Sequence, residues 1–184
     1  MIINLFELKR NICNVQLNQN DSYLLSYPHF IDYFRQKHKL TKKDLVCGVF
    51  MIYGWMPTIL KRNDCNDEII RILNFVKNNN DILSEDNIRI LLPFANKSMV
   101  GLSKLLHFIN PEVYPIWDRK ICKYFYSASY NYQIQNVSNY LKYTNAIHKA
   151  LESELPQEFN LIKKQLNYNI SNIRLIEITI FYTV

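Results

Sequence analysis

The sequence predicts an all-α protein that folds as a single compact domain over residues 1–184. Three observations support this prediction. Apolar residues recur every three or four positions along most of the chain, and capping residues or prolines bound the resulting segments. A length of 184 residues with 48% hydrophobic composition suits one buried core better than two. The β-branched C-terminal segment "NIRLIEITIFYTV" would also suit a strand, but no partner strand is indicated, so we predict a buried helix there, opened by Ser171.

The first half of the chain contains signals for three helices. Pro28 is placed to begin the first. Thr41 is the predicted N-cap of the second, which we expect to end at Trp55 and Pro57. The third, "NDEIIRILNFVKNNN", has one apolar face, a cap at Asn66 and three asparagines as its stop.

The second half continues the helical pattern. Ser84 is predicted to cap a short helix that ends near Pro93, and Ser98 to open the next helix. The stretch "YSASYNYQIQN" is predicted to be a mobile loop, and a longer helix after it is expected to end at Pro156. The predicted apolar face of that longer helix comprises Val137, Leu141, Thr144, His148 and Leu151.

The charge balance is compatible with a phosphate-rich partner such as duplex DNA. Lys and Arg number 22 against 16 Asp and Glu, which gives a net charge of +6. A bias towards Asn, Ile, Lys and Tyr, typical of an AT-rich genome, supplies lysine regardless of function. With only three glycines, the chain lacks a glycine-rich phosphate loop.

Other composition signals narrow the class of protein. No apolar run reaches 18 residues and the N-terminal segment carries charges, so we expect a cytoplasmic protein with no membrane partner. Four separated cysteines, without a C-x-x-C pair or paired histidines, predict reduced thiols and no metal site. No cofactor is expected, and the predicted oligomeric state is a monomer.

One stretch, "MVGLSKLLHFINPEVYPIWDRKICKYF", suggests chemistry as well as folding. Lys104 shares a helix face with Gly101 and His107, because residues three or four apart are neighbours on a helix. Asp118 is the predicted N-cap of the following helix, where backbone N–H groups and the helix dipole favour its ionised form. Two interpretations stay open. The pair is either a catalytic lysine and acid, or a solvent-seeking lysine and an ordinary capping residue.

The order of "VGLSK", an apolar helix and "VYPIWDRKICKYF" resembles the catalytic core of helix–hairpin–helix DNA glycosylases, especially the small bacterial 8-oxoguanine glycosylase-like branch. The resemblance covers a core motif of about residues 84–126. It implies that Lys104 is the nucleophile of a bifunctional enzyme and that Asp118 is the shared acid. The terminal "IRLIEITIFY" resembles the C-terminal helix of that family, with Arg174 and Glu177.

The resemblance implies an enzyme that removes a damaged purine such as 8-oxoguanine from duplex DNA, with Schiff-base lyase activity if the lysine attacks the sugar. The hairpin "KSMVGLSK" lacks the first glycine and the proline of the family's loop. The implied DNA contacts are Lys97, Ser98, Gly101 and Arg119. The implied substrate contacts, which could equally be core residues, are His107, Trp117, Trp55 and Tyr53.

Two alternatives to an enzyme remain. The chain could be a non-catalytic DNA-binding module that keeps the glycosylase scaffold. It could also be a protein-interaction component, in which the positive charge is incidental. The enzyme and the DNA-binding module both predict a basic surface beside Lys104, whereas the protein-interaction component predicts scattered charge. An activity assay separates the enzyme from the DNA-binding module.

Overall fold

The computed structural model describes residues 1–56, 58–61 and 64–184, and within these ranges every regular element is helical. This confirms the all-α prediction. The α-helices are α1 (Leu5–Ile12), α2 (Ser22–Arg35), α3 (Lys42–Trp55), α4 (Asp67–Asn78), α5 (Glu85–Leu91), α6 (Met99–Ile109), α7 (Arg119–Tyr126), α8 (Tyr130–Gln133), α9 (Val137–Leu151), α10 (Asn160–Gln165) and α11 (Asn172–Thr183). Short 3₁₀ segments occupy Leu92–Ala95, Ser127–Ser129 and Gln157–Phe159.

Most helices begin where the sequence predicts a cap. At α3, the Thr41 hydroxyl accepts the Asp44 N–H at 3.3 Å, and the Asp44 carboxylate accepts the Thr41 N–H at 3.0 Å. This capping box satisfies two backbone donors that the helix itself cannot. The other predicted caps that accept a backbone N–H are Asn66, Ser84, Ser98, Asp118 and Ser171.

The prediction for Pro28 is wrong, because Pro28 lies inside α2 rather than at its start. Asp21 caps the helix, accepting the Tyr23 N–H at 2.8 Å. A proline at this position leaves the Leu24 carbonyl without its usual helical donor. Leu24 and Ile31 are nevertheless buried on the two sides of the proline, so packing against the core keeps the helix continuous.

Three further predictions concern the end of α3, the end of α9 and the loop that precedes α9. Helix α3 ends at Trp55 as predicted, whereas Pro57 lies outside the described residues. Helix α9 ends at Leu151, before Pro156. The stretch predicted as a mobile loop forms a 3₁₀ turn and α8. The buried face of α9 is also rotated from the predicted one, because its tyrosines turn inward. The buried residues of α9 are Val137, Asn139, Tyr140, Tyr143, Thr144, Ala146 and Ile147.

Helix α6 is the centre of the fold. All of its residues are buried except Val100 and Lys104. It packs against α2, α3 and α4, while α11 packs against α1, α7, α9 and α10. The part-buried edge of α6, formed by Val100 and Lys104, faces the space between these two groups. None of the helices in the described ranges combines the length and the apolar character needed to cross a membrane.

Helix α3 contains two glycines in contrasting surroundings, which gives a matched prediction. A Cβ added at Gly48 would lie 2.3 Å from Cζ of the buried Phe34, so we expect Gly48→Ala to lower the free energy of unfolding by about 1–3 kcal/mol. A Cβ at Gly54 meets nothing within 4 Å, and Gly54→Ala should raise stability by about 0.5–1 kcal/mol. Urea denaturation measures both changes. Equal effects at the two positions would contradict the packing described for Phe34.

Candidate functional site

A cavity of about 510 Å³ lies where α2, α3, α6, α7 and α11 meet. The start of α2 and the end of α3 form one side, and α7 and α11 form the other. The residues that carry charge in its lining are Asp21, Lys104, Asp118, Arg119, Lys120, Arg174 and Glu177. Its aromatic lining residues are Tyr23, Trp55, Phe181 and Tyr182. The cavity therefore combines aromatic walls with paired positive and negative groups.

Lys104 reaches this cavity from the part-buried edge of α6. Its Nζ lies 4.9 Å from the ring centroid of Trp55, a cation–π distance. Within the described ranges, no carboxylate oxygen lies within 4.0 Å of the amine. Burial lowers the pKa of Lys104, while the charges of Asp118 and Glu177 oppose that shift. The amine therefore has a larger neutral fraction near pH 7 than an exposed lysine has.

Asp118 reaches the same cavity as the N-cap of α7. Its Oδ1 accepts the Ile121 N–H at 2.9 Å, as the sequence predicts. The expectation that local effects hold the carboxyl ionised needs correction. Burial raises the pKa of Asp118, and the backbone N–H of Ile121 and the charge of Lys104 only partly reverse this shift. Asp118 is thus a partly desolvated acid beside a partly desolvated amine.

Arg174 and Glu177 form a buried ion pair on α11, between Nη1 of the arginine and Oε1 of the glutamate. The other carboxylate oxygen of Glu177 accepts the Ile116 N–H at 3.3 Å. Burial raises the pKa of Glu177 to about 7, against the opposing effect of Arg174. The guanidinium lies 4.9 Å from the ring centroid of Tyr27, and its Nε has no hydrogen-bond partner.

The hairpin between α5 and α6 keeps its turn without the family's glycine. Asn96 and Lys97 both have left-handed backbones, with φ of 53° and 56°. Asparagine tolerates this region better than most residues. The Asn96 side chain also donates to the Ile59 carbonyl at 2.9 Å and accepts the Lys61 N–H at 3.0 Å. The asparagine therefore joins the hairpin to the segment that borders the cavity.

The backbone N–H groups of the hairpin are largely used within the protein. Lys97 N donates to the Leu92 carbonyl at 2.7 Å, and Ser98 N donates to the Ala95 carbonyl at 2.8 Å. Gly101 N donates to the Ser98 hydroxyl at 3.1 Å. A phosphate at this hairpin would thus have to meet side chains or to displace these bonds.

Three predicted substrate contacts belong to the core instead. His107 and Trp117 are fully buried and do not line the cavity, and Tyr53 is buried behind Gly101. Trp117 Nε1 donates to the Ile134 carbonyl at 2.8 Å. The polar groups of these side chains form hydrogen bonds within the protein, and the side chains pack behind the residues that line the cavity.

Both ring nitrogens of His107 have hydrogen-bond partners inside the protein. Nδ1 lies 2.7 Å from the Tyr114 carbonyl, so it carries the proton, and Nε2 accepts the Tyr27 hydroxyl at 2.7 Å. Burial lowers the pKa of His107 to about 3. The folded protein consequently requires this histidine to be neutral.

This requirement predicts acid sensitivity. Between about pH 6.5 and 3 the unfolded chain binds a proton at His107 that the folded chain does not, so stability falls as the pH falls. We expect wild type to lose about 1.4 kcal/mol per pH unit more than His107→Gln, which keeps a donor and an acceptor but cannot titrate. Urea denaturation between pH 7 and 4.5 measures the difference. Parallel stability curves for the two proteins would contradict it.

The structure brings together some predicted residues and adds others. Lys104, Asp118, Trp55 and Arg119 line the cavity, whereas Lys97, Ser98 and Gly101 lie on the hairpin outside its lining. Sequence reasoning missed the contributions of Asp21, Tyr23, Lys120, Phe181 and Tyr182. The capping pattern at Asp21 was the one local signal for the start of α2.

Comparison with known proteins does not assign the chain to a family. No family model, curated protein or solved structure matches the chain significantly. The arguments for function therefore rest on the site itself.

Proposed function

We propose that this protein is a DNA glycosylase with lyase activity, acting on a damaged purine such as 8-oxoguanine. The observation that carries the proposal is that the Lys104 amine and the Asp118 carboxyl line one cavity without forming an ion pair with each other. Both groups are therefore free to act on a sugar placed between them. The chemistry needs no cofactor.

The two groups have complementary roles in this reaction. Cleavage of the N-glycosidic bond builds positive charge on the deoxyribose, and the Asp118 carboxylate stabilises that charge. Neutral Lys104 forms a bond from Nζ to C1′ as the base departs with the bonding electron pair and takes up a proton. Loss of a proton from the amine and opening of the sugar ring give a Schiff base. Removal of a C2′ proton then expels the 3′ phosphate by elimination.

The cavity has the dimensions and the walls that an everted base requires. A volume of about 510 Å³ lies within the range of about 300–1,000 Å³ that is common for small-molecule sites. Tyr23 and Trp55 offer aromatic faces, and Tyr23 is 43% exposed at the rim. Stacking on such rings stabilises an unpaired base by about 1–3 kcal/mol. The reaction requires eversion because a stacked base cannot reach the cavity.

Basic side chains border the cavity. Arg119 and Lys120 lie in its lining, and the exposed Lys61 and Lys97 lie on the segments joined by Asn96. We expect binding to duplex DNA that is largely independent of sequence and weakens linearly with the logarithm of salt concentration. In a plot of the logarithm of the binding constant against the logarithm of salt concentration, Arg119→Ala and Lys97→Ala should each reduce the magnitude of the slope by about one. Fluorescence anisotropy at several salt concentrations measures this, and binding that does not depend on salt would contradict it.

The proposal is tested by incubating the wild-type protein with duplexes that contain 8-oxoguanine or an abasic site, followed by borohydride. Free base, strand cleavage and a covalent protein–DNA adduct are the expected products. Duplex binding without any of these products would support the non-catalytic DNA-binding module. Failure to bind DNA as well would support the protein-interaction alternative.

A further inference from the structure

We propose that Arg174 and Glu177 form the base-reading floor of the cavity, which selects a base edge that carries a hydrogen-bond acceptor beside an N–H donor. This inference rests on the proposed glycosylase function and deepens it by naming the substrate class. The two residues are the most buried charged groups in the lining, at 8% and 1% exposed. Such groups are costly unless every donor and acceptor has a partner.

The guanidinium of Arg174 has unused donors. Nη1 donates to Glu177, while Nε is buried without a partner. Nη2 also has no hydrogen-bond partner among the described residues. Because Nε has no accessible surface, a carbonyl oxygen or a ring nitrogen brought into the cavity would accept a hydrogen bond from Nη2. The Glu177 carboxylate has lone pairs beyond those used by Nη1 and the Ile116 N–H, so it can accept an N–H from the same ligand.

Charge decides what kind of ligand fits the floor. The arginine and the glutamate compensate each other, so a neutral heterocycle is favoured there over a phosphate. Arg119 and Lys120 also line the cavity, no carboxylate oxygen of the described residues lies within 4.0 Å of either, and Arg119 is exposed. The arrangement therefore suits a nucleotide whose neutral base enters the cavity while its anionic backbone stays outside.

Neighbouring groups hold the floor in place. The Tyr27 ring lies against the guanidinium, and its hydroxyl is bonded to His107 inside the core. The backbone N–H of Ile116 holds the carboxylate from the other side. A pair fixed in this way can discriminate between bases, because a ligand that leaves its buried groups unpaired is rejected strongly.

The substrate class follows from this pairing. Guanine, 8-oxoguanine and hypoxanthine each carry a carbonyl oxygen, O6, next to an N1–H donor. The arginine donates to the oxygen and the glutamate accepts from the N–H. By contrast, 1,N6-ethenoadenine has lost the N–H donors of its corresponding edge and leaves the glutamate unpartnered. The floor therefore favours oxo-purines with an intact N1–H.

The test separates base reading from sugar chemistry. The double variant Arg174→Met/Glu177→Leu removes both charges together, and their effects on the pKa of Lys104 have opposite signs. We expect its yield of trapped adduct on an abasic duplex to stay within about threefold of the wild-type yield, because that substrate has no base to be read. Its release of 8-oxoguanine should be at least about 100-fold slower than that of wild type. Circular dichroism checks its folding, and a second charge-free pair, Arg174→Leu/Glu177→Met, carries the same comparison if the first double variant is unfolded.

The possible results distinguish failure of the base-reading role, of the substrate class and of the glycosylase function. Equal losses of abasic trapping and of base release, or unchanged base release, would overturn the base-reading role. Release of 1,N6-ethenoadenine by wild type at the rate of 8-oxoguanine would overturn the proposed substrate class. Failure of the wild type both to trap an abasic duplex and to release 8-oxoguanine would instead reject the glycosylase function itself.

Discussion

Lys104→Ala is expected to reduce the borohydride-trapped adduct to background, a loss of at least about 100-fold, while duplex binding changes little. In the proposed reaction the Lys104 amine attacks the sugar, and burial in the cavity lining lowers the pKa of this amine. Lys104→Met should behave in the same way while it keeps an apolar contact with Trp55. Lys142→Ala, at an exposed position of α9, is the matched control and should trap normally.

Asp118→Asn should slow base removal by about 10²–10³-fold. Asparagine caps a helix about as well as aspartate, so the start of α7 is preserved and the lost charge is the main change. Binding to duplex DNA is expected to stay within about twofold. Base release that equals the wild-type rate would show that the carboxylate does not stabilise the sugar.

One mixed result would revise the mechanism without removing the enzyme. If Lys104→Ala loses the adduct but still releases the base, water is the nucleophile. Asp118 would then activate that water for base release, and Lys104 would act only on the abasic sugar that remains. Single-turnover assays distinguish this result from slow release of product.

The second large effect concerns stability. Arg174→Met or Glu177→Leu alone should lower the free energy of unfolding by about 3–5 kcal/mol, because each leaves its buried partner charge unpaired. The double variant should recover most of this loss, since two apolar side chains of similar size replace the pair. Urea denaturation of the four proteins gives the coupling free energy. Additive effects of the two single changes would contradict a buried, mutually dependent pair.

Helix boundaries were the part of the fold most accessible from the sequence. The capping box of Thr41 and Asp44 and the cap at Asp118 depend on residues within one turn, so local patterns suffice to find them. Pro28 misled the prediction because its local signal competes with burial of Leu24 and Ile31, which only the tertiary fold supplies.

The composition of the site was less accessible. Helix α11 is buried on nearly all sides from Ile173 to Ile180, so its apolar pattern cannot indicate which residues reach a cavity. His107 shares part of its helix surface with Lys104, yet it is fully buried and bonded to Tyr27 of α2 and to the Tyr114 carbonyl. The upward shift of the Asp118 pKa was also not predictable from local sequence. Burial by distant segments raises this pKa by more than the backbone N–H groups at the start of α7 lower it.

The most direct test of the central claim is to locate the trapped sugar on the protein. Wild type is reduced with borohydride on an abasic duplex, the DNA is digested, and the tryptic peptides are mapped by mass spectrometry. The account predicts a deoxyribose-derived mass increase on Lys104 itself. An adduct on another lysine or on the N-terminal amine, or no adduct on any peptide, would contradict it.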